Sequence, residues 1–515
     1  MGESPLFAPD FAPTCYWQDA VPARDIAGDG LPAIADTLVI GSGYTGLSAA
    51  LELARAGRAT VVIDAEAAGW GCSTRNGGQV STGIKPDVDE LVASHGETRA
   101  RAILAEGRRS LEWLGDFIAA ERIDCCFRVC GRFHAAHSQA AYDRLARELD
   151  RRPAGWEGDR FLVPRKQQKS ELGTDAYYGG IVLARHAALD PARFYNGMLD
   201  RVLSADVTVV PHCKATGLAK DGRTIAVVTT RGRIAASTVI VATNGYTGTL
   251  LPWLRRRVIP IGSYMIATEP IAPHLMAQLF PTDRVVTDTR RVVFYYRPSP
   301  DRTRVLFGGR VSASETDSRK TVAPLKAEMA RLFPELAAVR VSRSWMGFVA
   351  YTFDKLPHIG GKDGIHFAMG YCGSGIAMAS YLGMRLGQQI LGKSEGRTAF
   401  DEITFESRPY NSGAPGSFRR RSLFIAGWTA VAQSEVRDDV ILGGFRCRRD
   451  RTGAPLCVPK NLSPMPTVMS ALGQKQTSRS VRVMSVIPLK ADIHQRGLLA
   501  RFVPQADMRH VPLPR

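Results

Sequence analysis

Residues Asp36 to Gly57 read DTLVIGSGYTGLSAALELARAG, with Gly41, Gly43 and Gly46 in the order G-x-G-x-x-G. That spacing alone arises by chance, so its chemistry depends on where it lies. At a turn from strand to helix, Gly41 permits the tight turn and Gly43 lets the backbone approach a pyrophosphate. Gly46 lets helix and strand pack closely, and Tyr44 and Thr45 open a helix whose positive end attracts phosphate. Asp64 follows Gly43 by 21 residues, where an acid accepts from ribose hydroxyls and disfavours a 2′-phosphate. From Gly69 the chain reads GWGCSTRNGGQVSTG. Its Ser73, Thr74, Arg75, Asn76, Gly77 and Gly78 make a poor helix and a good anion-wrapping loop. Arg75 has the charge to meet a pyrophosphate, and the paired glycines leave room for a flat ring.

The elements around these residues suit them. TLVI from Thr37 is an apolar run ending at Gly41, as a buried parallel strand does. GLSAALELARAG has helical periodicity and closes at Gly57, a C-cap candidate. ATVVIDA is a second β-branched run ending beside Asp64. Strand, turn, helix and strand within about 30 residues form the context the glycines require. The nucleotide is NAD or FAD, and a turn without ligand is the alternative. Further on, Val88 to Arg151 reads as helical and Val207 to Gly245 as several strands with Gly turns. Pro260 to Arg310 suggests a sheet, PLKAEMARLFPEL a short helix, and GIHFAMGYCGSGIAMASYLG a return to strand, Gly turn and helix.

Composition narrows the class. A chain of 515 residues with 45% hydrophobic and 23% charged residues is ordinary globular material with room for two or three domains. No apolar run reaches membrane-spanning length. The opening MGESPLFAPDFAPTCYW lacks the basic and apolar regions of a secretory signal. Nine cysteines without paired C-x-x-C motifs fit a reduced cytoplasmic compartment. CCFRVC invites a zinc reading, but no partner residue has ligand spacing, so no metal is expected. The net charge of +18 suggests a nucleic-acid partner, yet its distribution speaks against one. Residues 416–515 hold 17 Lys and Arg against 6 Asp and Glu, leaving 50 against 43 in the first 415.

On these motifs the chain resembles the FAD-dependent oxidoreductases of the D-amino-acid oxidase/glycine oxidase superfamily. Members show a strand-end acid followed by G-x-G-x-S-x-R-N-G-G. The resemblance extends through YYGGIVLARHAALDPARFYNGM, VIVATNGYT, YYRPSPDRTRVLFGGR, WMGFVAYTFDKLPHIG and MGYCGSGIAMASYLG, over roughly residues 15–415. GYTGLSAA, RNGGQ and ATNGYT resemble γ-glutamylputrescine oxidase-like proteins most. It implies an α/β (mixed α+β) fold: a Rossmann-type FAD-binding domain, discontinuous in sequence, and a mixed-sheet substrate domain. The expected segments are an irregular N-terminal arm (1–35), FAD-binding parts (36–88, 185–260, 341–415), a helical and substrate-domain segment (89–184), a substrate domain (261–340) and a basic tail (416–515). Thr243 and Asn244 would lie near the phosphates. Gly373, Ser374, Gly375 and Ile376 would bring a helix N-terminus to the flavin's pyrimidine side, stabilising negative charge there.

The implied chemistry is oxidation of a C–N bond. A neutral amine gives a hydride to flavin N5, and water hydrolyses the resulting imine. Oxygen, giving H2O2, or another acceptor takes the electrons. Amino-acid-oxidising relatives carry substrate-clamping arginines where this chain has Val349 and a residue near Gly373. A buried carboxylate without such a cation is costly, so the expected substrate is an amine of γ-glutamylputrescine or polyamine type. An amino-acid or sarcosine-type oxidase is the alternative, and a flavin-binding protein without turnover a further one. Some relatives attach flavin through a cysteine in the segment WMGFVAYTFD. Gly347 stands there, so FAD is expected to be non-covalent. Tyr295, Tyr296 and Arg297 are candidates for the substrate cavity, with Trp345 and Tyr351. His358, after Pro357, reads as structural.

After FDEITFESRPYNSGAP the text leaves the family pattern. Relatives continue with W-F-L-P; here the chain reads GSFRRRSLFIAGWTAV. Gly-Ser-Phe-Arg can be coded so that a one-nucleotide shift reads Trp-Phe-Leu-Pro, so a shifted frame near Pro415 is expected. The other readings of this tail are disorder and a basic arm for acidic partners.

Overall fold

The structure, a computed structural model, describes residues 6–22, 24–26, 30–151, 160–290, 292–309, 317–408, 411, 445–449 and 455–459. The chain divides into two units, Met1–Val440 and Ile441–Arg515. In the second, Phe445–Arg449 pairs antiparallel with Pro455–Pro459. The shifted-frame, disorder and basic-arm readings of residues 416–515 otherwise fall outside the described residues.

The first unit is built on two sheets. Five strands of the smaller one run parallel, in the spatial order Ile365–Met369, Gly232–Val241, Ile34–Ile40, Thr60–Ile63 and Thr208–Val210. Their near-continuous apolar runs have a simple cause. Val39, Val62 and Ile240 enter one hydrophobic core, while Leu38, Ile40, Val61 and Ile63 enter another on the opposite face. With both faces covered, the carboxyl-terminal ends of these strands are buried, as parallel strands require.

The larger sheet has nine strands and is mixed. Its central order is Val341–Tyr351, Ile259–Thr268, Val305–Gly309, Tyr295–Pro298, Val285–Asp288 and Arg132–Ala135. One face packs Phe133, Tyr264, Ile266, Tyr296 and Phe307 against helix Val322–Leu332. The other face carries Arg132, Ser263, Thr287 and Tyr295 into a large cavity.

Three expectations need correction. The N-terminal arm is not wholly irregular: Phe7–Ala12 pairs in parallel with Val341–Tyr351 at the sheet's edge, and Tyr16–Ala20 is a short helix. FAPDFA lacks alternation because an edge strand with Pro9 has little to bury. The segment 88–151 is not continuously helical, since Arg132–Ala135 is a strand between helices Glu97–Ala120 and Gln139–Asp150. Residues 341–351 belong to the nine-stranded sheet, so the return to the parallel sheet begins after Tyr351. Among the described residues no helix is long and apolar enough to cross a membrane.

Helix Tyr44–Arg55 is covered by helix Gly375–Ile390, and the contact is made at glycines. A Cβ on Gly383 would come within 2.9 Å of Ser48 Cβ and Thr45 Cα; one on Gly387 would come within 2.9 Å of Glu52 Cβ. Gly383→Ala therefore sets two effects against each other. Alanine gains about 1 kcal/mol of helix propensity, but overpacking against backbone costs about 1–3 kcal/mol. The expected net result is a lower urea midpoint than wild type; an unchanged or higher midpoint would contradict the packing argument.

Candidate active site

A cavity of about 1100 Å³ opens where the ends of the parallel strands meet the nine-stranded sheet. Gly41, at φ +106°, turns under the strand Gly232–Val241; a Cβ there would sit 2.9 Å from the Ala242 carbonyl oxygen. A Cβ on Gly43 would sit 3.0 Å from Ser73 Oγ, and one on Gly46 3.1 Å from Val39 Cγ1. Gly41, Gly43, Tyr44 and Thr45 line the cavity, whereas Gly46 lies behind it as the packing glycine. Asp64 lines the cavity too. Its Oδ2 accepts from the Ser42 amide at 2.8 Å and hydroxyl at 2.6 Å, and its Oδ1 from the Glu66 amide at 3.0 Å. The carboxylate thus holds the glycine turn in shape, and about one of its four acceptor positions remains for a ligand hydroxyl.

The second loop is held from outside. Trp17 Nε1 donates to the Asn76 carbonyl at 2.8 Å, Gln18 Nε2 to Thr74 Oγ1 at 3.0 Å and Trp345 Nε1 to the Arg75 carbonyl at 2.9 Å. Ser73, Arg75, Asn76 and Gly77 reach the cavity. Thr74 and Gly78 do not. Thr74 is buried and hydrogen-bonded to the Gly69 carbonyl at 2.5 Å, and Gly78 gives its amide to Asn76 Oδ1 at 2.9 Å and its carbonyl to Arg297 at 2.8 Å. The guanidinium of Arg75 lies 4.5 Å from the Trp70 ring, and its buried Nε has no hydrogen-bond partner. Thr243, Asn244, Gly373, Ser374, Gly375 and Ile376 complete this wall. Asn244 Oδ1 accepts from the Gly370 amide at 2.9 Å, which ties the two turns together.

The sheet separates the candidate substrate residues by alternation. Tyr295 faces the cavity, its hydroxyl 2.8 Å from Ser263 Oγ and its ring 3.2 Å from where a Gly77 Cβ would be. Tyr351 also lines the cavity. Tyr296 points the other way, fully buried, with its hydroxyl donating to Tyr177 at 3.1 Å. Arg297 is buried too, bonded to the Gly78 and Leu189 carbonyls at 2.8 and 2.9 Å. Neither is among the cavity residues, because strand neighbours project to opposite faces and Arg297 is drawn under the Gly77–Gly78 turn. Trp345 likewise acts through the Arg75 backbone. His358 is buried, bonded to Asp354 and stacked on Phe405, which fits a structural role.

Several cavity residues were not anticipated: Trp70, Cys72, Lys85, Arg132, Ser263 and Thr287. Trp70 and Cys72 lay within the quoted loop and needed only a wider reading of it. Arg132 and Thr287 carry no local motif, since only strand pairing brings them here.

The wall suits a dinucleotide with an anionic centre. Helices Tyr44–Arg55 and Gly375–Ile390 both start at the cavity, and neither N-cap residue, Gly43 or Ser374, makes a side-chain capping bond. At the first helix start Ser73 Oγ accepts from the Tyr44 amide at 3.1 Å; the remaining amides of the two helix starts and the partnerless Nε of Arg75 are donors suited to negative charge. Gly43 leaves the space a phosphate needs.

Comparison with known proteins agrees. The profile of the DAO family, described as FAD dependent oxidoreductase, matches residues 36–389. The chain is 30% identical over 384 residues to the gamma-glutamylputrescine oxidoreductase of Escherichia coli, covering 72% of this chain and 86% of that one. It is 31% identical over 401 residues to an oxidoreductase named OrdL from Rhizobium meliloti, covering 77% and 92%. Among solved structures, glycine oxidase from Geobacillus kaustophilus has a similar fold, with a TM-score of 0.59 at 18% identity over 73% of this chain and 99% of that one. The glycine cradle, the two helix starts and the family profile together place the chain in the DAO family, as an FAD-dependent oxidoreductase.

Proposed function

We propose that this enzyme oxidises the carbon–nitrogen bond of an amine of γ-glutamylputrescine-like or polyamine type, in the cytoplasm. The imine formed is hydrolysed to an aldehyde, and the electrons pass to oxygen, giving H2O2, or to another acceptor. The observation that carries this reading is the composition of the wall beside the uncapped helix Gly375–Ile390. Val349 and Gly373 line it, where the family's amino-acid-oxidising members are expected to carry a carboxylate-clamping arginine. An α-carboxylate there would lose water without gaining a bidentate partner.

FAD, when bound, supplies the hydride acceptor. The protein's part is placement and field. Gly43, Ser73, Arg75 and the helix N-termini are the groups to hold its diphosphate and ring. Tyr295, fixed by Ser263, and Tyr351 present aromatic surface for a methylene chain. Lys85, Arg75 and Arg132 make the cavity electropositive, which favours the neutral amine that hydride loss requires. The seven described cysteines are all free thiols, in keeping with a reducing compartment.

Cys72 is the thiol to watch for covalent attachment, since a Cβ on Gly347 would lie 3.1 Å from its Sγ. Burial pushes this thiol up to about 11, with Arg75 pulling it partly back, so it stays protonated and a poor nucleophile at neutral pH. Acid precipitation of the holoenzyme is therefore expected to leave a colourless pellet and release FAD; a yellow pellet would refute non-covalent binding. In anaerobic stopped-flow, γ-glutamylated amines or plain polyamines are expected to bleach the flavin at least about tenfold faster than glycine or D-alanine, the size of one missing charged hydrogen bond. Faster bleaching by the amino acids would overturn the amine reading.

A further inference from the structure

The far end of the cavity carries a charge that holding FAD does not explain. Arg132 lies on the strand Arg132–Ala135, two strands beyond Tyr295 in the nine-stranded sheet. Two strand spacings of about 4.8 Å and two residues of about 3.3 Å along the strand put it roughly 12 Å from Tyr295. Its guanidinium lines the cavity, its Nε is sealed from solvent without a hydrogen-bond partner, and no carboxylate among the described residues pairs with it. Neighbouring arginines are satisfied: buried Arg297 by two carbonyls, and half-buried Arg284, just before the next strand, by Glu171 at 2.6 Å. A half-buried guanidinium whose sealed Nε finds no partner is costly to keep. Lys85 lines the same cavity. The local field is positive, for burial and the charges of Arg132, Lys85 and Arg160 push the neighbouring His134 down to about 3.

We propose that Arg132, with Lys85 nearby, is the specificity site for a carboxylate at the end of the substrate remote from the reacting amine. This rests on the amine reading above and sharpens it. The substrate class is then an ω-amino compound with an acidic far end, joined by a linker of roughly ten bonds, about the span from Tyr295 to Arg132. A plain polyamine would bring a second ammonium towards Arg132, where like charges repel. The site also reconciles Val349 with an acidic substrate, because the carboxylate is recognised away from the reacting carbon.

The test uses the FAD-loaded enzyme and two substrates differing by one carboxylate: N-glutarylputrescine and N-butyrylputrescine. Wild type is expected to favour the glutaryl compound about ten- to hundredfold in kcat/KM, mainly through KM. Arg132→Met should abolish that preference and leave kcat/KM for the butyryl compound within about twofold, while Arg132→Lys should restore part of it. N-butylglutaramate, which has no amine to oxidise, should bind wild type by calorimetry and bind R132M at least about tenfold more weakly. No preference in wild type, or an equal loss on both substrates in R132M, would overturn the site. If R132M does not fold, the wild-type preference and R132K decide. If neither amine bleaches the flavin but N-butylglutaramate still binds through Arg132, the amine reading fails and the anion site stands.

Discussion

The close approach of helices Tyr44–Arg55 and Gly375–Ile390 is the contact on which the rest of the molecule depends. Their first turns come from sequence positions more than three hundred residues apart, yet both open into one cavity. Glycines at 383 and 387 let the backbones meet where any side chain would hold them apart. Tyr371 and Thr45 add a hydroxyl pair at 2.6 Å just ahead of that contact. Two helix dipoles converging on one space create a strong preference for an anion. Ser73 meets only part of that preference and a bound dinucleotide the rest, so the stability of the two helix starts and the occupancy of the cradle are coupled.

The nine-stranded sheet does a different job. Its far face is sealed by helix Val322–Leu332, leaving the near face to serve as a flat wall with alternating residue types. Aromatic and hydroxyl groups occupy the middle, and positive charge gathers at the Arg132 side. On the proposed reading, chemistry beside Tyr295 and recognition at Arg132 are separated by two strands of this sheet, so each can vary without disturbing the other.

Much of the cradle was legible because its close approaches demand particular residue types at a fixed spacing. Gly46 meets the Gly41 carbonyl within one turn, while Gly41 meets the Ala242 carbonyl and Gly43 meets Ser73, so each position tolerates no side chain. Asp64 was legible for the same reason, although three of its bonds turn out to be internal. Tyr296 and Arg297 were misplaced because three adjacent polar and aromatic residues on a strand cannot all face one way, and nothing local says which face is wet. Arg132 was invisible: four strand residues between two helices give no periodicity, and the isolation of its guanidinium exists only after the sheet is assembled. The arm escaped notice because an edge strand need not alternate.

That arm has a consequence for the order of assembly. Phe7 pairs with Val341, and Trp17 and Gln18 close over the Thr74–Asn76 loop. Such distant partners make for slow, late-closing topology. During synthesis the clasp leaves the ribosome before the rest of this unit, and the strand Phe7–Ala12 must wait for Val341–Tyr351 before it can pair. A nascent chain stalled short of Val341 would hold its glycine turn already shaped but its second loop unlatched, which makes latching a late checkpoint in maturation.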